Sequence, residues 1–183
     1  MNFLPAVERM PMFKVGEKVV YPNHGVGVIE QITNGSLSGR AESFYLVRIL
    51  ANKLKVTVPV SNADAVGLRR IIRSSEVPKV LNALQNGRCD SPKNWKFRFK
   101  QNCEKMRTGS LYDVAEVLKG LLALSRSKVL SFREKKMLEQ AHRLLVNELA
   151  TVRNVTETTI EQALQKALAK SKLRLPEFLP PSL

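Results

Sequence analysis

Asn94-Trp95-Lys96-Phe97-Arg98-Phe99-Lys100 alternates cations with large rings around the chain's only tryptophan. Cations hold phosphate oxygens, and a flat apolar ring can enter an opened base step. This segment could therefore capture a polyanion with stacked planar groups, which is nucleic acid. The residue types leave a second reading open, in which Trp95 anchors a core and the lysines coat a solvated face. Lys96 stands between the same two roles, phosphate contact and solvated charge.

Other chemistry is hard to place. The chain has no Ser/His/Asp spacing, no paired carboxylates and no phosphate-binding glycine loop. Gly25-Val26-Gly27 lacks the third glycine and following helix of a dinucleotide fingerprint. His24 has no carboxylate or cysteine beside it and reads as a turn histidine. Cys89 and Cys103 fit no metal pattern, and only His24 and His142 could join them. The expectation is a protein without enzymatic activity, metal or cofactor, carrying free thiols in a reducing cytoplasm.

Charge points the same way as the Trp95 segment. The net charge is +14 over 183 residues, which suits nucleic acid or an anionic membrane surface. Residues 1–76 carry ten Lys/Arg against six Asp/Glu, and residues 77–183 carry twenty against ten. The window 93–107 holds six cations and one acid, Glu104. The second half is thus the candidate polyanion-binding half. No apolar stretch approaches the roughly 20 residues that span a bilayer. The N-terminus lacks the basic start and apolar run of a secretory signal. A hydrophobic fraction of 44% suits a folded chain.

The elements that must position these residues change character midway. Lys18–Pro22, Val28–Ile32, Ser43–Leu50 and Leu54–Val60 read as strands, rich in β-branched and aromatic residues. Asn34–Gly39, dense in turn formers, reads as a loop between them. Short strands in such a span predict a small SH3-like or Tudor-like barrel. After a connector at 62–69, helical periodicity predicts helices at 76–86, 92–107, 110–126, 131–152 and 156–171. Ser91 before Pro92, Ser110, and the Ser131-Phe132-Arg133-Glu134 capping box mark starts. Gly87 and Gly109 mark stops. Leu111, Val114, Leu118 and Leu121/Leu122 form one apolar stripe. Leu138, Ala141, Leu145, Glu148/Leu149 and Val152 form another, and both read as core. Phe97 and Phe99 read as core or as support for Trp95. Leu175–Pro181 breaks helix and is expected to fray. The fold class is α+β: a barrel, then an all-α part of about five helices. The divisions are 1–11 tail, 12–70 barrel, 71–172 helical, 173–183 tail.

Several of these stretches resemble one family. Phe13-Lys14-Val15-Gly16-Glu17-Lys18-Val19-Val20-Tyr21-Pro22-Asn23-His24-Gly25-Val26-Gly27 is similar to the opening of the CarD/CdnL family of bacterial RNA-polymerase-binding transcription regulators. Val56-Thr57-Val58-Pro59 resembles its last barrel strands. Asn94-Trp95 with its basic followers, Val114-Ala115-Glu116-Val117 and Glu134-Lys135-Lys136-Met137-Leu138 resemble its helical half. The likeness runs in order from Phe13 to Ala150. The barrel opening alone also resembles the polymerase-interacting domain of transcription-repair coupling factors.

The resemblance implies a barrel that holds the RNA polymerase β subunit and a helical part on promoter double-stranded DNA. Trp95 then takes the position of a wedge in the minor groove at the upstream edge of the bubble, stabilising the open complex without reading sequence. DNA-contacting cations map onto Arg98, Lys100 and Lys135, with Lys96 beside them. Polymerase contacts map onto Leu54, Lys55, Val56, Thr57, Val58 and Pro59. Some relatives carry arginine where Thr57 stands, so a charge contact there is in question and Val56 and Val58 take more of the weight. The chain is then a cytoplasmic, nucleoid-associated monomer with no membrane partner. The alternative is a polymerase-bound adaptor whose helical part recruits another protein.

Overall fold

The structure is a computed structural model that describes residues 12–37, 39–87 and 94–178. Five strands open the chain: β1 Lys18–Tyr21, β2 Gly25–Leu37, β3 Arg40–Ile49, β4 Lys55–Pro59 and β5 Arg69–Arg70. They form an antiparallel sheet in the order β4-β3-β2-β1-β5. The sheet ends on two edges, β4 and β5. A register shift between Ile29 and Gln31 marks a bulge in β2, which bends a strand and raises its twist. Alternation along the strands puts Val19, Ile29, Tyr45, Val47, Ile49 and Val58 into one buried cluster with Phe13 and Leu68. The Phe13 N–H donates to the Tyr45 hydroxyl, and the two rings meet edge to face.

The expected loop at Asn34–Gly39 is instead paired strand as far as Leu37. Asn34 stands opposite Ser43 and Gly35 opposite Glu42. Turn-forming residues stay in the ladder because their backbone groups find cross-strand partners, and the Ser43 hydroxyl donates to Asn34 Oδ1.

Five helices follow: α1 Val77–Asn86, α2 Trp95–Thr108, α3 Leu111–Ser125, α4 Phe132–Arg153 and α5 Glu157–Ala169. Ser110, Ser131 and Thr156 cap α3, α4 and α5 with their hydroxyl oxygens. Ser91 and Pro92 lie outside the described residues. The described α2 starts at Trp95, with Asn94 as its N-cap. The expected stripes on α3 and α4 are buried, except that Val152 is half-buried. The helices enclose a second apolar cluster centred on Leu84, Leu118, Leu121, Leu145, Leu149 and Leu164. α4 also packs on β2.

The expected fraying from Leu175 does not begin there. Leu173 is buried, and Leu175 packs on the helical core while its N–H donates to Gln165 Oε1. Phe178 stacks on His142 at 4.2 Å between ring centroids. α5 ends at Ala169, and the extended segment after it leaves apolar side chains free to cover the helices. Leu179–Pro181 lies outside the described residues. Among the described residues no helix is long and apolar enough to cross a membrane.

Candidate nucleic-acid interface

The first turn of α2 is set by Asn94, whose side-chain oxygen accepts from the N–H groups of Lys96 and Phe97. That cap satisfies donors a helix start would otherwise leave open. It also places Trp95 at the first helical position. Trp95 is 53% exposed, so the indole is on the surface. Lys96 and Lys100 are exposed beside it. Phe97, expected as core or as support for Trp95, is also exposed, while Phe99 packs on the helical core. Two positions along a helix is about 200° of turn, so the two rings cannot share one environment.

Arg98 corrects the sequence reading. It is 5% exposed and donates to Glu134 Oε1 at 3.1 Å. A guanidinium enclosed with a carboxylate is not offered to a phosphate. Glu134 itself is 4% exposed. Its Oε2 accepts from the Ser131 N–H and hydroxyl, and Lys128 Nζ stands 3.6 Å from Oε1. Burial pushes the Glu134 carboxyl up. The Ser131 hydrogen bonds, the Arg98 guanidinium and the charge of Lys128 outweigh that and lower it to about 2.

This ionic node joins the turn carrying Trp95 to the turn carrying Lys135, which is exposed on α4. It also brings in two exposed apolar residues the sequence reading missed. Val129 is 85% exposed and Phe132 75% exposed, and Lys136 Nζ lies 5.8 Å from the centre of the Phe132 ring. A signal existed. Phe132 directly follows the Ser131 cap, off the stripe through Leu138 and Ala141. Trp95 and Phe97 thus emerge from the first turn of α2, Phe132 from the first turn of α4 and Val129 from the loop just before it, with Arg98 and Glu134 joining the two turns. Lys96, Lys100, Lys128, Lys135 and Lys136 are exposed on the same two turns and the adjoining loop and helix. Such a corner can hold phosphates and offer rings to bases.

The strand assigned to polymerase, β4, lies on an edge of the sheet and pairs with β3 alone. Leu54 and Thr57 are exposed, Val56 and Pro59 half-buried. Lys55 Nζ sits 2.9 Å from Glu30, which also binds Arg48. Val58 corrects the sequence reading: it is 2% exposed and belongs to the sheet core. Its side chain holds the strand in place. Strand alternation accounts for this, because Val58 and Thr57 must face opposite ways.

Cys103 is a half-buried free thiol, pushed up by burial and by Glu104. Cys89 lies outside the described residues. Among the described residues no group of three or more His, Cys, Asp or Glu is placed to hold a metal.

Comparison with known proteins matches both halves of the chain. Residues 13–72 match the family described as CarD-like/TRCF RID domain, and residues 79–165 that described as CarD, C-terminal domain. The chain is similar to the protein named "Putative transcription factor YdeB" of Bacillus subtilis (strain 168). The two are 31% identical over 150 residues, covering 82% of this chain and 98% of that one. It is also similar to a solved structure titled "CdnLNt from Myxoccoccus xanthus". That match is 40% identical with a TM-score of 0.29, covering 37% of this chain and 94% of the other.

Proposed function

The chain belongs to the CarD family of transcription factors, and from that membership we propose that it binds RNA polymerase and promoter DNA together and stabilises the open complex. Residues 12–70 hold the polymerase β subunit and residues 71–172 hold DNA at the upstream edge of the bubble. The observation that carries this reading is the exposure of Trp95 at the head of a helix, among exposed lysines.

Promoter opening unstacks and separates base pairs. A wedge stabilises the open form when it contacts that form better than the closed duplex. Unstacking costs about a few kcal/mol per step, which apolar insertion offsets. A differential affinity of about 1.4 kcal/mol changes the equilibrium tenfold. Lys96, Lys100 and Lys135 meet phosphates, fixing register without reading bases. Arg98 supports the turn from beneath. The edge strand β4 offers unpaired backbone groups and the side chain of Thr57 to polymerase, with Leu54 just before it, as edge strands offer themselves to added strands. Tethering raises the local DNA concentration to about millimolar, so DNA affinity of the isolated protein can be weak.

The test is open-complex lifetime with matched polymerase. Trp95→Ala shortens it about tenfold or more on this reading. An unchanged lifetime with a folded variant refutes the wedge. Exposed Val129, beside a cavity of about 480 Å³ lined by Leu130 and Leu138, favours a second reading, the adaptor. That reading gains if charge reversal at Lys96 and Lys100 leaves promoter contacts intact while Val129→Asp abolishes the effect on transcription.

A further inference from the structure

One charged side chain outside both surfaces is held more completely than any role so far explains. Arg69, on the short edge strand β5, donates through Nε to the Gly109 carbonyl at 2.8 Å. Its two terminal nitrogens reach both oxygens of Glu148 on α4, each at 2.8 Å, and one also donates to the Arg70 carbonyl. Glu148 is 2% exposed and also accepts from the Ile72 N–H. This explains a carboxylate on the apolar stripe of α4: its partner comes from the sheet, 79 residues away. A forked, bidentate pair fixes angle as well as distance.

The surroundings are equally exacting. Pro22, in the β1–β2 turn, sits between Gly67 and Gly109. A Cβ on either glycine would come within 2.9 and 3.0 Å of the Pro22 ring, and both have positive φ. The Val26 N–H donates to Asn147 Oδ1, and Gln140 donates to the Asn23 carbonyl. The cavity at this seam is about 10 Å³, at the lower margin for one water. The sheet and the helices meet here through packed, directional contacts.

Gly109 is the residue that ends α2. Trp95 begins the same helix. Fourteen residues of α-helix make a strut about 20 Å long. One end is gripped by Arg69, and the other carries the indole.

We propose that Arg69 is a positioning residue: it pins the seam end of α2 to β5 and α4, so that attachment of the sheet to polymerase fixes where Trp95 is presented. The inference rests on the polymerase-and-DNA reading above. A rotation of about 10° at the seam would carry the far end of a 20 Å strut by about 3 Å, comparable with the stacking distance a wedge must match. The clamp therefore converts a polymerase contact into a placement of the ring on DNA.

The test uses the full chain with Arg69→Met, Arg69→Lys and Glu148→Gln. Lysine keeps the charge but cannot reach two carboxylate oxygens and two carbonyls at once, so it separates geometry from charge and serves if the methionine variant fails to fold. Spin labels at Ala51→Cys and Gln101→Cys, with Cys89 and Cys103 replaced by serine, report the sheet-to-α2 distance by electron–electron resonance. The parent gives one narrow distribution, and the Arg69 variants give a broad one. Binding of a polymerase β-subunit fragment stays within about twofold, while stabilisation of the open complex falls about tenfold, as expected when a tethered second site loses its register. A narrow distribution in every folded variant overturns the clamp, and so does a broad one with an unchanged open-complex lifetime. Trp95→Ala with no effect overturns the functional reading instead, and leaves the distance measurement to decide the clamp.

Discussion

At the scale of the residue, Glu134 shows how one carboxylate can organise a surface it does not belong to. It caps α4, binds Arg98 and faces Lys128, and the rings exposed on either side depend on that placement. With its carboxyl lowered to about 2 from an ordinary value near 4.5, folding favours the ionised form. Stability from this group is complete above about pH 4.5 and lost as the pH falls through about 2, about 3 kcal/mol in all. Urea unfolding between pH 5 and 2 measures it, and Glu134→Gln flattens that slope while lowering stability at neutral pH. His142 gives a separate window. Burial under Phe178 holds it below its usual 6.5, though Glu157 pulls the other way and Glu161 stands 3.6 Å off. The folded state favours neutral imidazole, so the melting temperature falls as the pH drops below 6.5. His142→Gln removes that part of the dependence.

At the scale of the element, the ends of α2 have different tasks. Gly109 at its C-terminus has φ +72° and lies against Pro22. Gly109→Ala is expected to cost about 1–2 kcal/mol by strain in the left-handed region, read as a lower urea midpoint with unchanged slope. The C-terminal segment 173–178 is a second case. Pro176 disfavours helix there, yet Leu173, Leu175 and Phe178 cover α4 and α5. Phe178→Ala should lose about 1 kcal/mol and lower the melting temperature by about 2–4 °C. On β4, alternation separates two jobs: Val58 holds the sheet core while Thr57 faces out, and Leu54 is exposed just before the strand begins. Leu54→Asp should weaken binding to polymerase fragments and leave the melting temperature within a degree or two.

At the scale of the whole molecule, a charge of +14 and an exposed cationic corner predict DNA binding that falls steeply with salt. The logarithmic slope counts phosphates neutralised. Lys96→Ala, Lys100→Ala and Lys135→Ala should each reduce it by about one, uniformly across promoter sequences, and Arg98→Ala should not. Arg98→Ala should instead lower folding stability, because it removes one of the partners of a buried carboxylate.

Periodicity and caps were enough to place four of the five strands, the five helices and both apolar stripes, because those signals act between residues a few positions apart; the length of β2 and the two-residue β5 depend on cross-strand partners and were not legible. The exposed setting of Trp95 was not legible either, since the residue types left both a core anchor and a surface ring open, and the cap read at Ser91 is taken in the described helix by Asn94. Nor was the way Arg98 faces. Its partner Glu134 is 36 residues away, and no local pattern marks a cation as turned inward. The same holds for Glu148, whose place on an apolar stripe makes sense only once β5 brings Arg69 to it. Charge pairing and the angle between sheet and helices arise from long-range contacts, and only the folded chain brings those partners together.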